Sequence, residues 1–135
     1  RTLTAQTDFR STKVPGFRKD PRVAWSFFDP QTKEQLRATG RAVIHHNDET
    51  TERAWPSVPD ANQYNYAATH APGASIDDPA QGQATSGDLA KAYENFAVIR
   101  CEITAVDWLQ LSKPIHRRAQ FSWNGTEWLA TWAVP

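Results

Sequence analysis

The stretch NFAVIRCEITAVDWLQL, residues 95–111, decides the fold class. Ala97, Ile99, Cys101, Ile103 and Ala105 recur at every second position, and Arg100, Glu102 and Thr104 fall between them. A period of two puts the first set on one face of a β-strand and the second on the other. Trp108 stands at the end of this strand, where it is either a core or edge tryptophan or a ligand contact.

The pattern continues on both sides. Downstream, IHRRAQFSW and EWLATWAV flank Asn124-Gly125, a short-hairpin signal. Alternation there sets His116, Arg118 and Gln120 on one face and Ala119, Phe121 and Trp123 towards the other. The polar set is either a wetted face or a ligand-facing one. Upstream, EQLRATGRAVIHH alternates Leu36, Ala38, Gly40, Ala42 and Ile44 against Gln35, Arg37, Thr39 and Arg41. PRVAWSFFD is a short apolar run suited to a buried strand, followed by turn chemistry in DPQTKE. RTLTAQT reads as a further strand. NDETTERAW predicts a helix capped by Asn47 or Asp48. Residues 66–87 have no sustained period and read as a long mobile loop. Mostly antiparallel strands with two short helices predict a single mainly-β domain, a small barrel whose closure removes strand edges.

Composition bounds the function. With 15 basic and 15 acidic residues in 135, bulk charge does not favour nucleic acid as a partner. No apolar run approaches the roughly 20 residues of a membrane span. The single cysteine, Cys101, rules out an internal disulfide and a cysteine-based zinc site, and a cytoplasmic location is the expectation. Cys101 lies on the apolar face of its strand, which favours burial over nucleophilic chemistry. His45-His46 beside Asp48 resembles a metal cluster, but adjacent strand residues point to opposite faces, and no metal is expected. The chain has no methionine and opens directly in strand-like sequence, so strands N-terminal to Arg1 are expected to be missing. Six tryptophans are many for this length and suit ligand pockets or interfaces.

QTDFRSTK, residues 6–13, ends the first strand in hydroxyls and cations. It is either a solvated turn leading into a helix capped by Ser11 or an anion site, above all for phosphate. Pro15-Gly16 limits the helix that follows.

Taken in order, TDFRSTK, DPRVAWSFFDP, EQLRATGRA, ENFAVIRCEITAVDWLQL and HRRAQFSWNGTEWLATWAVP resemble the pyridoxamine 5′-phosphate oxidase family, in its short FMN-binding, oxidase-related branch. The resemblance covers nearly the whole chain. It implies a split β-barrel and a homodimer with FMN at the subunit interface. It also places the phosphate site at Gln6, Thr7, Ser11, Thr12 and Lys13, with threonine at Thr12 where the family has arginine and Arg10 as a nearby replacement. Gln35, Trp108 and Arg118 fall on flavin-contacting positions. His116 falls on a substrate-contacting histidine and is the one candidate for a catalytic role. The companion arginine of the oxidase falls on Pro114, and its substrate-phosphate contacts fall on Ala54, Val58 and Asn62. The resemblance therefore implies an FMN-dependent oxidoreductase acting on a small molecule, with an altered substrate site. A genuine pyridoxamine or pyridoxine 5′-phosphate oxidase, or a non-catalytic flavin-binding or interaction module, are the alternatives.

Overall fold

A computed structural model describes residues 1–135. Its elements are β1 (Thr2–Asp8), α1 (Lys13–Lys19), β2 (Arg22–Asp29), β3 (Glu34–His45), α2 (Glu49–Ala54), α3 (Asp60–Gln63), α4 (Leu89–Glu94), β4 (Phe96–Gln110), β5 (Arg117–Trp123) and β6 (Trp128–Ala133). Single 3₁₀ turns lie at Trp55–Ser57, Tyr64–Ala67 and Pro79–Gly82. The strands form one sheet in the order β2-β3-β4-β5-β6, and β1 also pairs with β4. The pairings β2–β3, β4–β5 and β5–β6 are antiparallel. No helix is long and apolar enough to cross a membrane.

The residues form two compact units, with β1, β3 and β4 contributing to both. The first comprises Arg1–Leu3, Arg22–Ala42 and Cys101–Pro135. Its core is Ala38, Cys101 and Ile103, packed by Leu3, Val23, Trp25, Leu36 and Val106. Gly40 explains how β3 and β4 come together: a Cβ there would overlap the carbonyl oxygen of Glu102. A glycine inside a strand is suited to such a backbone approach. The Trp25 indole N–H is buried without an oxygen or nitrogen partner and faces the Cys101 sulfur instead. Burial pushes the Cys101 thiol up, so it stays protonated and inert.

The second unit comprises Thr4–Pro21 and Val43–Arg100. Its core is Val58, Phe96 and Val98 beneath Trp55, Tyr66 and Tyr93. Trp55 meets Tyr66 and Tyr93 edge-on, at centroid distances of 5.8 and 5.6 Å. Asp48 is the cap of α2: its Oδ1 accepts from Thr50 N (3.0 Å) and Thr51 N (3.1 Å).

Several expectations need correction. PRVAWSFFD is not a buried strand: β2 has one sheet neighbour, and Phe27 and Phe28 are 46% and 62% exposed. Ala105 does not share a face with Ile103. Ile103 and Val106 pack in the same core, while Ala105 joins Arg37 and Thr39 on the opposite face. The alternation slips by one residue there, as a bulge makes it do. At the start of β4, by contrast, residues 96–99 are buried on both faces. The last hairpin closes through four residues, because Trp123 pairs with Trp128. Asn124 Oδ1 accepts from the backbone of Thr126 and Glu127, both at 2.9 Å, and Gly125 takes φ +105°. Helical content exceeds two short helices. Ser11 does not cap α1; Thr12 holds that position without a side-chain capping bond.

Candidate functional site

In the second unit, the end of β1 turns tightly into α1. Ser11 N donates to Asp8 O at 3.0 Å, and Val14 N donates to Ser11 O at 3.0 Å. Thr7 and Ser11 are buried, whereas Gln6, Thr12 and Lys13 are exposed. None of the side chains of Thr7, Ser11, Thr12 and Lys13 is engaged in a hydrogen bond with the protein. The turn therefore offers three hydroxyls and one ammonium with their bonding capacity unspent.

Arg10 is not part of that offer, contrary to its expected role as a replacement cation. Its Nε and Nη2 donate to Asp8 Oδ1 (3.0 Å) and Oδ2 (2.7 Å), and its Nη1 donates to Ala68 O at 2.9 Å. The Asp8 carboxylate is buried and also accepts from Arg10 N at 2.8 Å. The guanidinium is thus a strut that fixes the turn, and its bond with Asp8 holds its pKa up. Asp8→Ala should strand that guanidinium and cost about 3 kcal/mol of stability, read as a lower denaturant midpoint. An unchanged midpoint would show that Asp8 does not hold the turn.

His45 and His46 diverge. His45 Nδ1 bonds Asp48 Oδ2 at 2.7 Å. His46 stacks flat on Phe9, with centroids 3.5 Å apart, and its Nε2 bonds Glu94 O at 2.8 Å. They do not converge on a common centre.

In the first unit, the registers set two faces. Asp107, Gln120 and Thr131 lie opposite one another across β4, β5 and β6, as do Ala105, Ser122 and Leu129. With Arg37 and Thr39 of β3 they line a cleft of about 450 Å³. Arg118 sits diagonally from Asp107 on this face and clasps it with two bonds, Nε to Oδ1 at 3.0 Å and Nη2 to Oδ2 at 2.6 Å. That clasp holds the Asp107 carboxyl below the usual carboxylate range against some desolvation, with help from Gln120 and Arg37. Gln35 belongs to the same face of β3 by alternation and is exposed.

Trp108 is on the other face. It lines a second cleft, about 260 Å³, with Ala119, Phe121 and Trp132. Trp108 and Arg118, both expected at a flavin, thus look out from opposite sides of one sheet. His116 lies before β5, so strand alternation does not put it on the Arg118 face; it is exposed in the connection from β4. Asp107 was missed by the sequence reading. An acid one strand away from Arg118 is visible only once the β4–β5 register is known.

A depressed Asp107 pKa has a defined consequence. Its contribution to stability is present above the unfolded value of about 3.9 and is lost as pH falls through the lower folded value. The difference in denaturant midpoint between wild type and Asp107→Asn should therefore shrink on acidification from pH 6 to below about pH 3.9. A difference constant over that range would contradict the ion pair.

Residues 1–46 match the family model described as pyridoxamine 5′-phosphate oxidase, FMN-binding domain. That segment contains Gln6, Thr7, Ser11, Thr12, Lys13 and Gln35 and ends before Trp108, His116 and Arg118. No curated protein matches the chain by sequence. Among solved structures, a pyridoxamine 5′-phosphate oxidase-related, FMN binding protein from Nostoc punctiforme PCC 73102 is similar, with TM-score 0.81 and 21% identity over 99% of this chain and 73% of that one. PhzG from Burkholderia lata 383, solved in complex with tetrahydrophenazine-1-carboxylic acid, gives TM-score 0.79 and 19% identity over 100% of this chain and 69% of that one. The resemblance read from the sequence is borne out, and the fold is the mainly-β, antiparallel split barrel shared with the Nostoc oxidase-related, FMN binding protein.

Proposed function

We propose that the 135 residues act as one FMN-binding domain of a flavoprotein oxidoreductase, related to pyridoxamine 5′-phosphate oxidase but altered in its substrate site. The observation that carries this reading is the turn from Thr7 to Lys13. It lies within the segment matching the FMN-binding family model, and its hydroxyls and ammonium have no protein partners. A phosphate needs several directed donors and positive charge, which is the donor set present. Lys13 would supply the charge; Ser11, Thr7 and Thr12 the hydroxyls; Gln35 a hydrogen bond to the ring or its side chain.

FMN, when bound, supplies two-electron redox chemistry, and the protein's part is position, electrostatics and pocket shape. Arg118 brings less charge than its type suggests, because Asp107 already neutralises it. Of the proposed ring contacts, Gln35 and Arg118 share a face and Trp108 does not. The same reading includes a homodimer with FMN at the subunit interface. It is supported by apolar side chains left open in the first unit, among them Phe27, Phe28 and Trp132, the last 73% exposed. His116 is retained as the candidate catalytic group, and a cytoplasmic location as the expected one. A flavin-binding module without turnover remains the second reading, favoured by the Arg118–Asp107 neutralisation.

The test begins with the absorbance spectrum of the purified protein and mass identification of any released cofactor. Lys13→Ala should weaken FMN roughly tenfold or more, since a charge-assisted bond contributes about 1.5–3 kcal/mol. Riboflavin, lacking the phosphate, should lose less. Equal loss for both ligands would remove Lys13 from the phosphate site. Sedimentation of a micromolar solution should give a dimer; a monomer fully loaded with FMN would contradict the shared site.

A further inference from the structure

The cleft on the first unit contains a charge that the fold leaves unused. Arg118 is spent on Asp107 through two hydrogen bonds. Arg37 is exposed and makes no hydrogen bond or ion pair, although it lies near enough to Asp107 to help keep it ionised. Within the cleft, two guanidiniums against one carboxylate leave one net positive charge, at Arg37. Around it stand neutral groups able to donate or accept, Thr39, Gln120 and Thr131, and Ala105 and Leu129 line its apolar side. The volume, about 450 Å³, falls within the range of small-molecule sites.

From this arrangement we infer that the cleft is a binding site for a small apolar monocarboxylate, with Arg37 as its cation. The charge balance selects the class. A monoanion meets one free guanidinium. A phosphate ester, close to dianionic at neutral pH, brings a second charge towards Asp107, which the Arg118 clasp keeps ionised. A neutral ligand leaves Arg37 solvated and gains only apolar contact. The rows Asp107–Gln120–Thr131 and Ala105–Ser122–Leu129 fix a polar strip beside an apolar one, so the carboxylate end and the apolar body have separate places. Gln35 is two residues from Arg37 on the same face of β3, roughly 7 Å along the strand. Taking the carboxylate as the substrate of the proposed flavin enzyme rests on the FMN reading; its binding does not.

Calorimetric titration with 2-naphthoate, 2-naphthamide and 2-naphthyl phosphate tests the inference, with the protein as isolated and again at saturating FMN. One site per chain is expected, with naphthoate roughly tenfold or more tighter than either analogue. Arg37→Gln should bring naphthoate down to the level of the amide, Arg37→Lys should restore part of the difference, and Thr131→Val should weaken naphthoate severalfold. Arg37 is exposed, so its variants should keep the wild-type melting temperature. Absence of saturable binding, equal affinity in wild type and Arg37→Gln, or tighter binding of naphthyl phosphate overturns the site. FMN uptake is read from absorbance in the same samples. FMN bound with naphthoate rejected sinks the inference and leaves the flavoprotein reading standing. Naphthoate bound with no FMN taken up upholds the site and removes its ligand from flavin chemistry.

Discussion

Alanine at position 40 should destabilise the protein by about 3 kcal/mol, or roughly 10 °C in Tm. Gly40 lies in β3 on the core face, and a Cβ there would run into the backbone carbonyl of Glu102. Most small-to-large substitutions are relieved when a neighbouring side chain rotates. Here the obstacle is backbone in the middle of β4, and moving it disturbs Cys101 and Ile103, which are 0% and 5% exposed at the centre of the first unit's core. A second glycine supplies the control. Gly16 sits in α1 with open space where a Cβ would stand and no positive φ. Gly16→Ala should therefore stabilise by up to about 1 kcal/mol through helix propensity. Thermal unfolding of the two variants should move in opposite directions. If Gly40→Ala melts with wild type, the close approach of β3 and β4 is wrong.

The position of Gly40 illustrates what could be read from the chain. Its place on the core face of β3 follows from period-two alternation over twelve residues, and the phase of β4 up to Ile103 follows in the same way. Asp48 as a cap and Asn124-Gly125 as a hairpin turn were legible because their chemistry is local. The failures are non-local. Phe27 and Phe28 read as buried because an apolar run looks the same whether or not a strand covers its second edge. The slip after Ile103 arises from register, which composition does not encode. Arg10 and Arg118 read as free cations because their acids, Asp8 and Asp107, are recognised only from geometry: one across a tight turn, the other across a strand pair eleven residues away. For the proposed site this matters more than the fold does, because the two pairings remove two of the charges on which an anion-binding argument would lean. Lys13 in one unit and Arg37 in the other are uncommitted at the two candidate sites, and each has been assigned a different anion.

Little or no oxidation of pyridoxamine 5′-phosphate is expected, even with FMN saturating. Such a substrate carries close to two negative charges on its phosphate, and burying them unpaired is costly. The positions at which the resemblance would place its contacts are poorly equipped. Pro114 has no donor where the oxidase has arginine. Val58 is 2% exposed and packed in the core with Phe96 and Val98, so a polar group is both absent and unable to emerge there. Ala54 packs against the same cluster, and Asn62 offers a neutral amide. Within β5, Arg117 alternates away from the face of Arg118, and Arg118 is held by Asp107. His116 is exposed and makes no hydrogen bond that would orient it. Losing one directed charged contact in a desolvated site costs about 2–5 kcal/mol, which is roughly 30-fold to several thousand-fold in affinity. Steady-state measurement of pyridoxal 5′-phosphate formation is decisive: turnover at micromolar substrate would mean that a cation reaches the substrate phosphate from elsewhere, and the altered-site reading would fall while FMN binding at Ser11 and Lys13 stood.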